Sequence, residues 1–179
     1  MKKVKSVLHT PEVEIIIRER RRLMGYPPSL FIKRGPMENR LRIVLEAMEW
    51  VGTPYHHQAR VKKVGVDCAQ LVAGVAENVF PRLKPINTEV YSVEWHLHNK
   101  EEKMCEMIEK FKCTQVPLEE RLPGDIITFK FGRVQSHMGI LINEGQFIHA
   151  RMDVKKVVIN QLSGEWLERL GRAYKFPGL

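Results

Sequence analysis

The sequence predicts an α+β fold, with N-terminal helices packed on one side of a curved antiparallel sheet. Two observations carry this expectation. Up to about residue 111, apolar residues recur at three- and four-residue steps, the spacing of a helix face. Beyond that point they gather into short runs separated by turn residues, the pattern of antiparallel strands. At 179 residues the chain is long enough for one compact domain with a short extension and a core that needs neither disulfide nor metal.

The elements follow in order. Residues 10–25 read as a helix: Thr10 caps, Pro11 suits the first turn, and Val13, Ile16, Ile17, Leu23 and Met24 share a face. Tyr26-Pro27-Pro28 and Gly35-Pro36 break the chain, and a boundary is placed near Pro36. This separates a basic helical extension (residues 1–36) from a body (37–179). A second helix spans about Glu38 to Val51, with Leu41, Val44, Leu45, Met48 and Val51 inward, and stops at Gly52-Thr53-Pro54. The stretch from Pro54 to Val66 reads as a polar loop. A third helix starts at Cys68, where small Ala69, Ala73, Gly74 and Ala76 allow close packing. Lys100 to Phe111 is helical, with Met104, Met107, Ile108 and Phe111 inward, whereas Tyr91 to His98 is ambiguous.

Strands are expected at Ile126–Phe131, His137–Ile142, Gln146–Ala150 and Val157–Asn160. Leu122-Pro123-Gly124-Asp125 forms the turn into the first of them. A short helix near Gly164–Leu170 and a strand near Ala173–Phe176 close the chain. No internal repeat or low-complexity tract is visible.

Hydrophobic content of 44% and charged content of 28% are ordinary for a globular protein. No apolar run approaches the ~18 residues of a membrane span. The basic start, Met1-Lys2-Lys3-Val4-Lys5, is not followed by an apolar stretch, so no secretory signal is read and a cytoplasmic site of synthesis is expected. Three cysteines without a CxxC pair point to free thiols. Residues 1–40 hold ten Lys/Arg against four Asp/Glu, and the rest nineteen against seventeen, so most of the net charge of +8 sits in the arm. Such an arm suits an anionic polymer, an acidic partner or simple solvation. Nucleic-acid binding would rest on that charge alone, without a motif.

The chemistry centres on Cys68, at the start of a helix, where unpaired amides and the helix dipole favour a thiolate. A small buried core residue is the alternative reading of a lone cysteine. His137 and His149 supply the missing partners. Asn143-Glu144-Gly145 suits a three-residue hairpin loop with Gly145 left-handed. Gly139 would then oppose His149, and His137 would lie diagonally from His149 on the same face. His137 would act as the base and His149 would orient it. Zinc held by Cys68, His137, His149 and His56 or His57 would call for a close ligand pair, which is absent. No cofactor is expected. Cys105 and Cys113 read as packing.

Five blocks, in order, carry a resemblance. They are Trp50-Val51-Gly52-Thr53-Pro54-Tyr55, Val66-Asp67-Cys68-Ala69-Gln70-Leu71-Val72, Pro123-Gly124-Asp125-Ile126-Ile127-Thr128-Phe129, His137-Met138-Gly139-Ile140 and Phe147-Ile148-His149-Ala150. From about Leu41 to Phe176 the chain resembles the NlpC-type cell-wall cysteine peptidases, which have a compact papain-like fold. The resemblance implies a Cys68-His137-His149 site, with Tyr55 on the oxyanion side and Asp67 lining the cleft. Ala69 takes the place of a serine that helps bind the substrate's free amine, and Gln70 replaces a glycine. The implied substrate is a peptidoglycan stem peptide, cut next to D-γ-glutamyl. Pro54-Tyr55-His56-His57-Gln58-Ala59 looks more like the phage and prophage tail branch. For that branch, residues 1–36 would dock on a tail protein and the virion would carry the enzyme to the host wall. The alternatives are a catalytically silent structural tail protein and a papain-like amidase or acyltransferase on another substrate.

Overall fold

The computed structural model describes residues 36–83, 86, 88, 91 and 101–179. The helix expected over residues 10–25, the whole of the ambiguous stretch beyond Tyr91 and the expected start of the next helix at Lys100 lie outside these residues. Among the described residues no helix is long and apolar enough to cross a membrane.

Helix α1 (Pro36–Glu49) opens the body. Its most buried face is Ile43, Val44 and Ala47, rotated from the expected Leu45 and Met48, which are half-buried. The turn before the sheet explains the rotation. Arg40 is nearly buried and pairs with Asp125 at 2.6 Å, and Gly124 packs so closely on the Arg40 backbone that an added Cβ would lie 3.1 Å from its carbonyl oxygen.

The stretch expected to be a plain polar loop contains a small hairpin, β1 (Arg60–Val61) with β2 (Gly65–Val66). Two-residue strands carry no periodicity that a sequence could reveal. Beside it, Tyr55 bridges to Val66 and Pro54 to Lys156, which fastens this segment between the hairpin and the sheet.

Helix α2 (Cys68–Val79) starts at the expected residue, with Asp67 as N-cap. Leu71, Ala73 and Val75 are fully buried. Gly74 faces Trp50, where a Cβ would fall 2.7 Å from the indole, so the small residue permits this approach. Helix α3 (Lys103–Lys110) is shorter than expected and buries Met104, Cys105 and Ile108.

The sheet has six strands: β3 (Thr114–Val116), β4 (Ile126–Phe131), β5 (Val134–Asn143), β6 (Gln146–Arg151), β7 (Lys156–Gln161) and β8 (Leu170–Lys175). Their order is β3-β8-β4-β5-β6-β7, with every pair antiparallel. A short helix, α4 (Glu165–Arg169), leads into β8. The edge strand β3 was not expected, since it offers only three residues and two of them are exposed. Helix α2 packs against β5 and β6. A second cluster gathers Ile127, Phe129, Leu141, Phe147, Leu162 and Ala173, with Trp166 and Phe131 against it.

Two register shifts in β5 bear on function. Phe129 pairs with His137 but Lys130 with Gln135, so Ser136 bulges immediately before His137. At the other end Leu141 pairs with Phe147 but Asn143 with Gln146, so Ile142 is the odd residue. The expected register of β5 with β6 therefore holds at Ile140 and Leu141, which sets Gly139 across from His149, but Gln146 meets Asn143 where the three-residue loop would have given Ile142, so the parity comes from a bulge. Gly145 is not left-handed, contrary to expectation. Instead Asn143 Oδ1 accepts from the Gly145 amide at 3.0 Å and shapes a tighter turn.

Candidate active site

Cys68 is the first residue of α2 and is half-buried. Hydrogen bonding from the backbone of Met138, Ala69 and Cys68 itself favours its thiolate. Burial and the neighbouring Asp67 carboxylate outweigh these bonds and push the thiol up to about 12. At rest the sulfur is therefore protonated. Met138 directly follows His137, so the contact between its backbone and the sulfur brings the two catalytic candidates together.

His137 and His149 face each other, Nε2 to Nδ1, at 2.7 Å. Gly139 makes this possible: a Cβ there would lie 2.7 Å from the Ile148 carbonyl oxygen and 3.2 Å from the His149 Cβ. The other nitrogen of His149, Nε2, lies 2.9 Å from Asn160 Oδ1 on β7. Rings enclose the pair: Phe129 and Phe131 lie against His137, Phe147 against His149, and Trp166 against both. Burial lowers His149 to about 4, and burial with the His149 and Arg151 charges holds His137 well below the usual imidazole range. Both rings are neutral at physiological pH, as a general base must be before it takes a proton.

Tyr55 stands beside the sulfur; burial, then the Cys68 and Asp67 charges, raise its phenol to about 12 and keep it a hydrogen-bond donor. Asp67 is 1% exposed. Its carboxylate accepts from the Gln70 amide at 2.9 Å, the Gln58 amide at 2.6 Å and the Tyr91 hydroxyl at 2.7 Å. His57 Nδ1 lies 3.5 Å from it. Asp67 thus organises the start of α2 from within and offers almost no surface to a ligand. Ala69 is buried in the first turn and brings only a methyl group. His56 is exposed, while Cys105 and Cys113 are buried free thiols. Among the described residues no three His, Cys, Asp or Glu side chains are grouped to hold a metal ion. A cavity of about 320 Å³ lined by Arg42, residues 79–83 and Pro177 lies at the far end of α2 and includes none of these groups.

Asn160, Trp166 and Tyr91 were missed from sequence. Asn160 pairs with Phe147 across the β6–β7 ladder, two positions along from His149. Carrying the register across the turn at Met152–Lys155 would have found it. Trp166 and Tyr91 arrive from distant segments, and no local spacing announces them.

A sequence model described as the NlpC/P60 family matches residues 52–174. "Probable endopeptidase NlpC" of Escherichia coli (strain K12) is 32% identical over 107 residues, which cover 59% of this chain and 57% of that protein. The chain thus spans little more than half of that curated relative. The solved NlpC/p60 domain of the peptidoglycan hydrolase SagA aligns with a TM-score of 0.53 at 20% identity, covering 76% of this chain and 98% of that one. An NlpC/P60 family protein from Bacillus cereus aligns with a TM-score of 0.54 at 18% identity, over 76% and 40% of the two chains. These two structural likenesses show a shared papain-like fold of helices on an antiparallel sheet.

Proposed function

The chain belongs to the NlpC/P60 family, and from that premise we propose that it is a cysteine peptidase hydrolysing an amide bond of a peptidoglycan stem peptide, next to D-γ-glutamyl. The observation that carries this reading is the neutral imidazole pair at 2.7 Å, set beside a helix-initial cysteine.

His137 takes the thiol proton as Cys68 Sγ attacks the substrate carbonyl carbon. The resting groups are neutral, so proton transfer accompanies attack. The oxyanion that forms meets the first-turn amides of α2 and the Tyr55 hydroxyl. His137 then gives its proton to the leaving amine, and a thioester remains on Cys68. Water, deprotonated by His137, releases the acid product and restores the thiol. His149 holds Nε2 of His137 throughout.

The tail-borne setting rests on the likeness of residues 54–59 to the phage branch, with residues 1–36 as the docking arm. In that setting the basic arm would meet the tail protein, and the body would act on the host wall. The test is cleavage of purified muropeptides from both common wall chemistries, followed by mass spectrometry. Wild-type protein is expected to cut next to D-γ-glutamate. Cys68→Ala and His137→Ala are expected to lose at least ~10³-fold in rate. Equal cleavage by Cys68→Ala would refute the nucleophile. No cleavage by any form would put the structural tail role first.

A further inference from the structure

The third residue of the site, His149, is itself held by groups that no family likeness assigns. Asn160 Oδ1 lies 2.9 Å from His149 Nε2 and 3.4 Å from Arg151 Nη1. A guanidinium has donors only. It therefore selects the orientation in which the Asn160 amide presents oxygen rather than its NH₂ group. Arg151 is itself fixed by an ion pair to Asp153 and by its place over the Trp166 ring, 5.6 Å from the centroid. The Trp166 ring stands perpendicular to that of His149, with ring centroids 4.6 Å apart.

That orientation decides where every proton lies. An oxygen facing His149 requires a proton on its Nε2, which leaves Nδ1 of the neutral ring as an acceptor. His137 must then donate from Nε2, and its own Nδ1 carries the lone pair. The opposite amide orientation would reverse the sequence: His149 would donate from Nδ1, and His137 would hold its proton on Nδ1, where it could not receive another. We propose that Asn160, oriented by Arg151, is a positioning residue that fixes the proton order of the His149–His137 relay and keeps Nδ1 of His137 available as the base. The proposal rests on the assignment of His137 as base, but its structural content is a tautomer that can be read without turnover.

The charged groups that bear on the pair are Arg151, which opposes protonation, and Asp153, which favours it. Replacing Asn160 by aspartate keeps the acceptor and adds a charge that favours protonated imidazole. Replacing it by alanine removes the acceptor.

The experiment combines ¹⁵N-detected histidine tautomer spectra with steady-state kinetics on the full chain, with His137 signals identified by difference against His137→Gln. Wild-type protein should show one His137 tautomer, protonated on Nε2. Asn160→Ala should show mixed tautomers and lose roughly tenfold or more in kcat, with KM nearly unchanged. Asn160→Asp should restore the single tautomer and most of kcat, with the acidic limb of the pH profile moved to higher pH. Retention of the single tautomer in Asn160→Ala would overturn the proposal whatever happens to rate. So would a wild-type His137 protonated on Nδ1. If the wild-type protein cleaved no muropeptide, the spectra would still decide the proton order, and only the enzymatic reading would fall.

Discussion

His149 is fully buried and neutral, and this has a cost that pH reveals. Its folded pKa of about 4 lies below the ordinary 6.5, so between those values the unfolded chain binds the extra proton. Stability is therefore complete above pH 6.5 and falls as pH drops toward 4, by on the order of 3 kcal/mol for this residue. His137 shifts in the same direction and adds to the loss. Urea unfolding at a series of pH values should show this slope, and His149→Gln should flatten it. At this scale the grouping of Cys68, His137 and His149 was legible, because cysteine and histidine are scarce residue types and here stand at telling positions, a helix start and facing strand sites. Asn160 was not, because a polar residue on an edge strand is the ordinary pattern of a solvated face.

At the scale of elements, the N-cap of α2 places Cys68, and the β5–β6 pairing places the two histidines. Asp67 caps the helix that presents Cys68 and binds Tyr91 at the same time. Asp67→Ala should lower stability by about 2 kcal/mol, as a cap loss with buried partners stranded, measurable by chemical denaturation. It should also reduce turnover, since the helix start carries the sulfur. Gly139 sets the distance between two strands, and its substitution meets the Ile148 backbone, which cannot turn aside as a side chain can. Gly139→Ala should cost about 1–3 kcal/mol. Its loss in kcat should exceed what the unfolded fraction explains, because the strain falls next to His149. Helix and strand runs were readable from periodicity. The bulges at Ser136 and Ile142 were not, because each is a compromise between paired strands that neither shows alone.

At the scale of the whole molecule, the change from helical to strand periodicity told the layer arrangement, and the order of motif blocks told the family. The two-residue hairpin and the β3 edge were hidden because long-range pairing alone sustains them. The charge of the first forty residues carries its own expectation. Retention of the full chain on purified anionic sacculi should weaken as salt rises toward about 0.5 M, as screening shortens the range over which these charges attract. Replacing Arg18, Arg20, Arg21 and Arg22 by glutamine should reduce that retention, while turnover of a small soluble muropeptide stays unchanged. A pull-down would read the first effect and a product assay the second.

The central claim is a covalent step through Cys68 in a relay that runs from His137 through His149. Acid-quenched intact-mass analysis of the protein during muropeptide turnover tests it most directly. The account predicts a mass gain equal to the acyl half of the stem peptide, mapped to the fragment that contains Cys68 and absent from Cys68→Ala. Cleavage that proceeds at the wild-type rate in Cys68→Ala, with no adduct on the wild-type protein, would contradict it.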